Sequence, residues 1–261
     1  MLKALYTAAT GMKSQQSHVD VIANNLANVN TTGFKRSQTD FEDLMYIIQQ
    51  SPGSATSQQS RSPTGIQVGS GSRLVSTTKV FSQGVLEPTF RDLDVAIQGN
   101  GFFRVVMPDG SNGYSRDGAL RRDAQGNLVT PQGFALADQV TIPDDASTIS
   151  IGADGSVSYT DAQGNQQLAG QLNLTRFANP SGLRSGGGNL FFETQSSGQA
   201  QDNVPGQQGA GTLLQGNLER SNVEVVTELV NLIVAQRAYE VNSRAIRSGD
   251  EMLSTATTLT R

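Results

Sequence analysis

The sequence predicts an α+β protein, with a long helix at each end of the chain and a mostly antiparallel β domain inserted between them. Three observations lead there. Apolar residues recur at seven-residue spacing near both termini. Between about Arg73 and Gly216 the chain turns rich in Gly, Thr, Val and Phe. That middle stretch is also broken at short intervals by turn dipeptides, a hairpin signature. With 261 residues the chain has room for one large domain or two smaller ones.

At the N-terminus, Leu5, Met12, Val19 and Leu26 form one stripe, and Ala8, Gln15, Ile22 and Val29 form another three residues on. These are the a and d positions of a heptad. They predict a helix over Leu2–Val29, about 40 Å long at the α-helical rise, ended by Asn30-Thr31-Thr32-Gly33. Gly11 inside it costs about 1 kcal/mol relative to Ala. Asn24, Asn25 and Asn28 flank the Ile22–Leu26–Val29 seam, although asparagine is a mediocre helix residue. An amide beside a seam tolerates only the register that pairs it. Asn24 and Asn25 therefore read as register-setters in a packed helical assembly. Asn28 either joins them or frays the helix end, and Asn30 caps it.

Next, Thr39-Asp40-Phe41-Glu42 is a capping-box pattern that predicts a short helix over Asp40–Gln49. Ser51–Ser72 is full of Ser, Gly, Gln and Pro, which is loop composition. The stretch LDVAIQGNGFFRVVMPDGS reads strand, turn, strand, turn. Asp109-Gly110, Asp117-Gly118, Gly126-Asn127 and Asp154-Gly155 are hairpin-type turns. DAQGN occurs at both 123–127 and 161–165, as if one hairpin loop were reused.

Near the C-terminus, Ser221-Asn222-Val223-Glu224 is a second capping box. Val225, Leu232, Tyr239, Ile246 and Leu253 follow at heptad spacing, with Leu229 between the first two. A second apolar face carries Val234, Ala238, Val241, Ala245, Met252 and Leu259. A two-helix pair buries one stripe per helix, and burying a Val, Leu or Met side chain is worth roughly 1.5–3 kcal/mol. A second face therefore asks for a second partner, most simply another copy of the chain, and heterologous contacts that do not close make a helical filament.

Composition narrows the function classes. Net charge is −4 with no Lys/Arg cluster, which argues against nucleic acid or an anionic membrane as main partner. No apolar run approaches a membrane span, and no secretory signal is visible at the N-terminus. With no Cys, thiolate metal sites and disulfides are excluded, and the single His18 cannot build a multi-histidine site. Aromatics at 6% suit a modest core rather than an aromatic-rich one. Gly99-Asn100-Gly101 opens like a dinucleotide fingerprint, but Arg104 stands where the last glycine belongs. Asp109, Asp117, Asp123 and Asp154 sit in turns, where Asp bonds its own backbone, rather than at ion-ligand or glycosidase spacing. The expectation is no enzyme activity, no metal and no cofactor.

The blocks VIANNLANVNTTGFKR, LDVAIQGNGFF and SNVEVVTELVNLIVAQRAYEVNSRAI resemble, in that order, the flagellar basal-body rod and hook proteins. Chain length, the insert after FEDLMYIIQQSPG and the following TGIQVGSG are most similar to the distal-rod branch. The resemblance implies four segments. Residues 1–31 and 217–261 would hold the helices of a coiled-coil inner domain lining a hollow tube. Residues 73–216 would form a β-rich outer domain, and 32–72 a connecting segment carrying a rod-type insert with Pro52, Gly53, Arg61 and Pro63. The assembly interface would lie on Leu5, Met12, Val19, Ile22, Asn24, Asn25, Leu26, Asn28, Val225, Leu229, Leu232, Val234, Tyr239, Val241, Ile246, Met252 and Leu253. Partners implied are other copies in a helical homopolymer, proximal rod and hook proteins, the P and L rings, the rod cap and the flagellar export apparatus. Nucleic acid and a membrane span are not among them. Subunits would be exported without signal cleavage and assemble in the periplasm, to transmit torque and conduct later export substrates. The alternatives are a proximal-rod or hook-type member, or a monomeric secreted β-domain adhesin.

Overall fold

A computed structural model describes residues 2–52 and 63–259. It is α+β, with a helix at each end flanking mostly antiparallel β structure, and it divides into two compact units. Unit 1 comprises residues 1–26, 37–78 and 225–261; unit 2 comprises 27–36 and 79–224. The segment 32–72 is thus shared between them.

Unit 1 contains α1 (Leu2–Ala27), β1 (Ser37–Asp43), β2 (Ile47–Gln50), β3 (Ile66–Val68), β4 (Ser72–Lys79) and α2 (Val225–Leu259). Two glycines let the helices approach. A Cβ on Gly249 would lie 2.6 Å from Leu5 Cδ2, and one on Gly11 would lie 2.9 Å from Asn242 Nδ2. The start of α1 meets the end of α2, so the pair is antiparallel along this stretch. The helix-propensity cost of Gly11 is thereby offset by close packing.

The helix expected over Asp40–Gln49 does not form; the segment is β1 and β2. The box is engaged elsewhere: Thr39 Oγ1 lies 2.7 Å from His18 Nδ1, the Glu42 carboxylate accepts from Arg73 on β4, and Asp40 Oδ2 accepts from Ser76 Oγ at 2.6 Å and Thr78 Oγ1 at 2.9 Å, also on β4, the strand beside β1. Partners on α1 and β4 outcompete the local cap. Within the expected loop, Ile66-Gln67-Val68 forms β3 and pairs antiparallel with β2, Val68 opposite Ile47. The C-terminal capping box also fails. Asn222 accepts from Arg36 N–H at 2.8 Å and donates to Val80 O at 2.8 Å, while Ser221 Oγ accepts from Val223 N–H at 3.3 Å. Those bonds hold residues 221–223 out of the helix, and α2 begins at Val225.

Unit 2 is built from β5 (Leu86–Pro88), β6 (Val95–Gln98), β7 (Phe103–Val106), β8 (Asn112–Ser115), β9 (Arg121–Arg122), β10 (Leu128–Val129), β11 (Ala135–Leu136) and β12 (Thr148–Ile151). It continues with β13 (Ser156–Thr160), β14 (Gln166–Gln171), β15 (Leu174–Arg176), β16 (Arg184–Gly187), β17 (Leu190–Phe192), β18 (Gln201–Asn203), β19 (Thr212–Gln215) and β20 (Asn217–Glu219). The largest sheet runs β16-β17-β8-β7-β11-β10-β9, and β6 pairs antiparallel with β19. Val95, Ile97, Phe103, Leu128, Ile142 and Leu172 anchor an aliphatic core. The aromatics are concentrated rather than sparse. Phe81, Phe102, Tyr114, Phe177 and Phe191 make edge-to-face contacts at 4.8–5.9 Å between centroids, the geometry ring quadrupoles prefer.

The repeated DAQGN loops are the same device twice. Asp123 Oδ1 accepts from Gln125 and Asn127 N–H, and Asp161 Oδ1 from Gln163 and Asn165 N–H. The Ser156 hydroxyl and then its N–H hold the Asp154 carboxyl below the usual range. These aspartates are turn residues. Asp117-Gly118 is not a hairpin turn; Gly118 lies against β6 and its carbonyl accepts from Val95 N–H at 3.0 Å.

At the centre of unit 2, Glu219 faces two cations. Its Oε1 lies 2.6 Å from Lys35 Nζ, with both side chains 0% exposed, and its Oε2 lies 2.8 Å from Arg116 Nε. Gly84 N–H donates to the same carboxylate at 2.8 Å, and Lys35 Nζ also donates to Ser82 O. The Arg116 guanidinium donates to the carbonyls of Ile97, Gly99 and Gly101. Burial, and then the Arg116 charge, push the Lys35 ammonium down to about 8, against the pull of Glu219.

Removing the shared anion would leave two buried cations. Glu219→Gln is expected to lower unfolding free energy by roughly 3–5 kcal/mol in urea titrations, and Lys35→Met by less, since Arg116 still balances the carboxylate. The folded lysine releases its proton near pH 8 while an unfolded lysine keeps it to 10.5. The unfolded chain therefore binds more protons in that window, and wild type should gain stability over Lys35→Met as pH rises through it. Parallel pH profiles for the two chains would contradict the buried placement.

Candidate assembly surface

Unit 1 separates the two faces of α2. Ala235 and Glu228 are buried and Leu232, Asn242, Ile246 and Leu253 half-buried, facing the rest of the unit together with Gly249. On the opposite side Val226, Val230 and Ile233 stand at i, i+4 and i+7 in solvent, with Val234 and Val241 beside them, Ile233 at 55% and Val234 at 61% exposure. This spacing is one continuous stripe.

Of the residues expected at the interface, Leu5, Met12, Val19 and Leu26 are half-buried and Ile22 is buried, so α1 directs its stripe inward. Val225, Leu229, Val234, Tyr239, Val241 and Met252 are exposed. Val225 and Tyr239 are thus more open than their heptad mates Leu232, Ile246 and Leu253. Tyr239 lines a groove with Gln16, Val19, Gln236 and Glu240.

Asn25 requires a correction. Its Nδ2 donates to Ser37 O at 2.9 Å and its Oδ1 accepts from Ser37 N–H at 2.8 Å. The amide is used in both directions to fasten β1 to α1, which leaves it no register role between copies. Asn24 stays exposed on α1. Asn28 lies past the last turn, where its Oδ1 accepts from Thr31 Oγ1 at 3.2 Å and its carbonyl accepts from Thr31 N–H. Pro52 and Pro63 are exposed; Gly53 and Arg61 lie outside the described residues.

A second exposed apolar surface escaped the sequence reading. Met45, Tyr46, Ile47 and Ile48, with Ile66 on the paired strand, are all open to solvent, and Leu2 and Tyr6 are exposed on α1. The run of four apolar residues was the available signal, masked by the helix assignment. Large apolar residues exposed in such number are a candidate interaction surface.

His18 packs rather than reacts. Its Nδ1 lies 2.7 Å from Thr39 Oγ1 and its ring meets Phe41 edge-on. Burial lowers its pKa, opposed by Glu228. Among the described residues no three His, Asp or Glu side chains converge on a metal site, and no helix is long and apolar enough to cross a membrane.

Family models match along the chain: "Flagella basal body rod protein" over residues 5–35, "Flagellar hook protein FlgE/F/G D1 domain" over 96–159 and "Flagellar basal body rod FlgEFG protein C-terminal" over 214–259. The flagellar basal-body rod protein FlgG of Borreliella burgdorferi is 45% identical, covering 100% of both chains. FlgG of Buchnera aphidicola subsp. Schizaphis graminum is 48% identical over 97% of this chain and 98% of its own. FlgG of Bacillus subtilis is 41% identical over 100% of both.

The two faces of α2 predict opposite responses to one substitution. Val234→Asp should change the unfolding free energy of the monomer by less than about 0.5 kcal/mol. Ala235→Asp places an unpaired carboxylate in a buried seam and should cost several kcal/mol. Thermal unfolding followed by helix circular dichroism would compare them.

Proposed function

This chain belongs to the flagellar basal-body rod protein family and is a structural subunit of the rod, not an enzyme; we propose that copies of it build the distal rod as a hollow helical polymer. The observation that carries the reading is the pair of opposed apolar faces on α2, one satisfied inside the chain and one left in solvent. Burying the outer face of each copy against its neighbours would recover roughly 1.5–3 kcal/mol per fully covered Val or Ile. An array of such seams resists slip, because packed side chains do not deform continuously. That is what torque transmission demands of a shaft.

In this reading α1 and α2 form a coiled-coil inner domain around the export channel, and the β-rich unit 2 lies outward. The interface comprises Leu229, Val234, Val241 and Met252 on α2, with Met45–Ile48 as a further contact. Proximal rod and hook proteins would cap the two ends, and the ring proteins would surround the shaft. The cap and export apparatus would deliver subunits, without signal cleavage, to a periplasmic site of growth. The apolar stripe that α2 leaves in solvent supports assembly through the terminal helices.

The test is a strain whose sole copy carries Ile233→Asp with Val234→Asp. The variant should fold, fail to enter isolated basal bodies and abolish swimming. Normal rods by electron microscopy would remove the outer face of α2 from the interface.

A further inference from the structure

Phe90 has the form of a docking knob. The residue is 90% exposed on a backbone with φ +55°, a conformation bulky side chains avoid. The loop that carries it is pinned to one residue. Thr89 N–H donates to Gly216 O at 2.8 Å, Phe90 N–H to the same oxygen at 3.4 Å, and Gly216 N–H donates to Asp94 O at 2.7 Å. A strained, rigidly presented aromatic in water is the feature that calls for a partner.

The same unit offers a socket. A cavity of about 190 Å³ is lined by Phe81, Phe102, Phe177, Pro180, Asn100 and Arg176. A ~150 Å³ cavity is large enough to take benzene, and a ring here would meet aromatic edges on one side and the polar groups of Asn100 and Arg176 on the other. Ring edges and a guanidinium are favourable neighbours for another ring.

Phe90 cannot fill its own socket. Its loop hangs from Gly216, at the end of the β6–β19 ribbon where Val95 pairs with Gln215. Asn100 and Gly101 lie beyond the other end, where Gln98 pairs with Thr212. The four-residue strand between separates the two by more than ~13 Å at the β rise. Knob and socket at opposite ends of one ribbon make a heterologous, head-to-tail contact, which propagates instead of closing.

We propose that Phe90 of one copy inserts into the Phe81–Phe102–Phe177 cavity of the next, so that unit 2 carries its own longitudinal contact in the polymer. The proposal rests on the self-assembly reading. The exposed Asp92 carboxylate beside the knob then meets Arg176 at the socket rim, opposite charges that set the orientation.

The experiment uses the full chain, which has no native cysteine, polymerised in vitro and collected by sedimentation. Arg91→Cys and Ser181→Cys chains place a thiol beside the knob and beside the socket, at exposed positions outside the cavity lining. Mixed and treated with a short bismaleimide, they should give a cross-linked dimer that neither gives alone. Phe90→Gly relieves the backbone strain, so its monomer should be at least as stable as wild type. Its critical concentration for polymerisation should nevertheless rise more than tenfold, as for loss of a buried aromatic anchor. Wild-type polymer without the cross-link, or an unchanged critical concentration for Phe90→Gly, would overturn the contact and leave the assembly reading standing. A wild-type chain that does not polymerise would overturn both.

Discussion

Glu219 is one carboxylate serving two cations where no water reaches it. Lys35 and Arg116 each supply a charge, and Gly84 N–H completes the shell. A buried ion pair contributes little against an apolar alternative, but breaking one is costly. The arrangement therefore acts as a constraint more than as a source of stability. It requires residues 33–36, the loop before β5, the β6–β7 turn and the end of β20 to meet at one point. Gly33 N–H donates to Glu219 O, and the Arg116 guanidinium closes on the carbonyls of Ile97, Gly99 and Gly101. A misplaced segment leaves a bare charge in the core.

That constraint bears on how the chain's apolar surface is distributed. In unit 2 the aliphatic and aromatic cores are enclosed by sheets held in one arrangement. In unit 1 the inward seam of α2 is lined partly by Ala235, Asn242 and Gly249, small or polar residues, while the larger Val226, Val230, Ile233 and Val241 face out. A full apolar stripe is therefore left without an internal partner. The residues that hold the subunit together are thus distinct from those left to associate, so assembly can be strong without the monomer depending on it.

The heptads of both helices were legible, because a 3.5-residue repeat is a local signal. So were the turn aspartates, whose bonds run to residues two and four positions on. The β1 and β2 strands were not. Thr39-Asp40-Phe41-Glu42 has a sound local cap, but His18 and Arg73, each more than twenty residues away, engage Thr39 and Glu42. Asn25 was recognised as out of place in a helix, but its true partner, Ser37, lies in a different element. Nothing in the residues around Lys35, Arg116 or Glu219 announces that they meet.

By itself the sequence determined that there would be two amphipathic terminal helices, that α2 would carry two apolar faces, and that turn-rich β structure would lie between. These are properties of spacing and residue type within a few turns or one hairpin. Only the tertiary structure decided which face of α2 is spent inside the chain, which asparagine is a clamp, and where the buried charges balance. The reason is one of range. Periodicity limits what a segment can bury, but its partner is chosen by competition among surfaces far apart in the chain, and that competition is settled only when they are packed together.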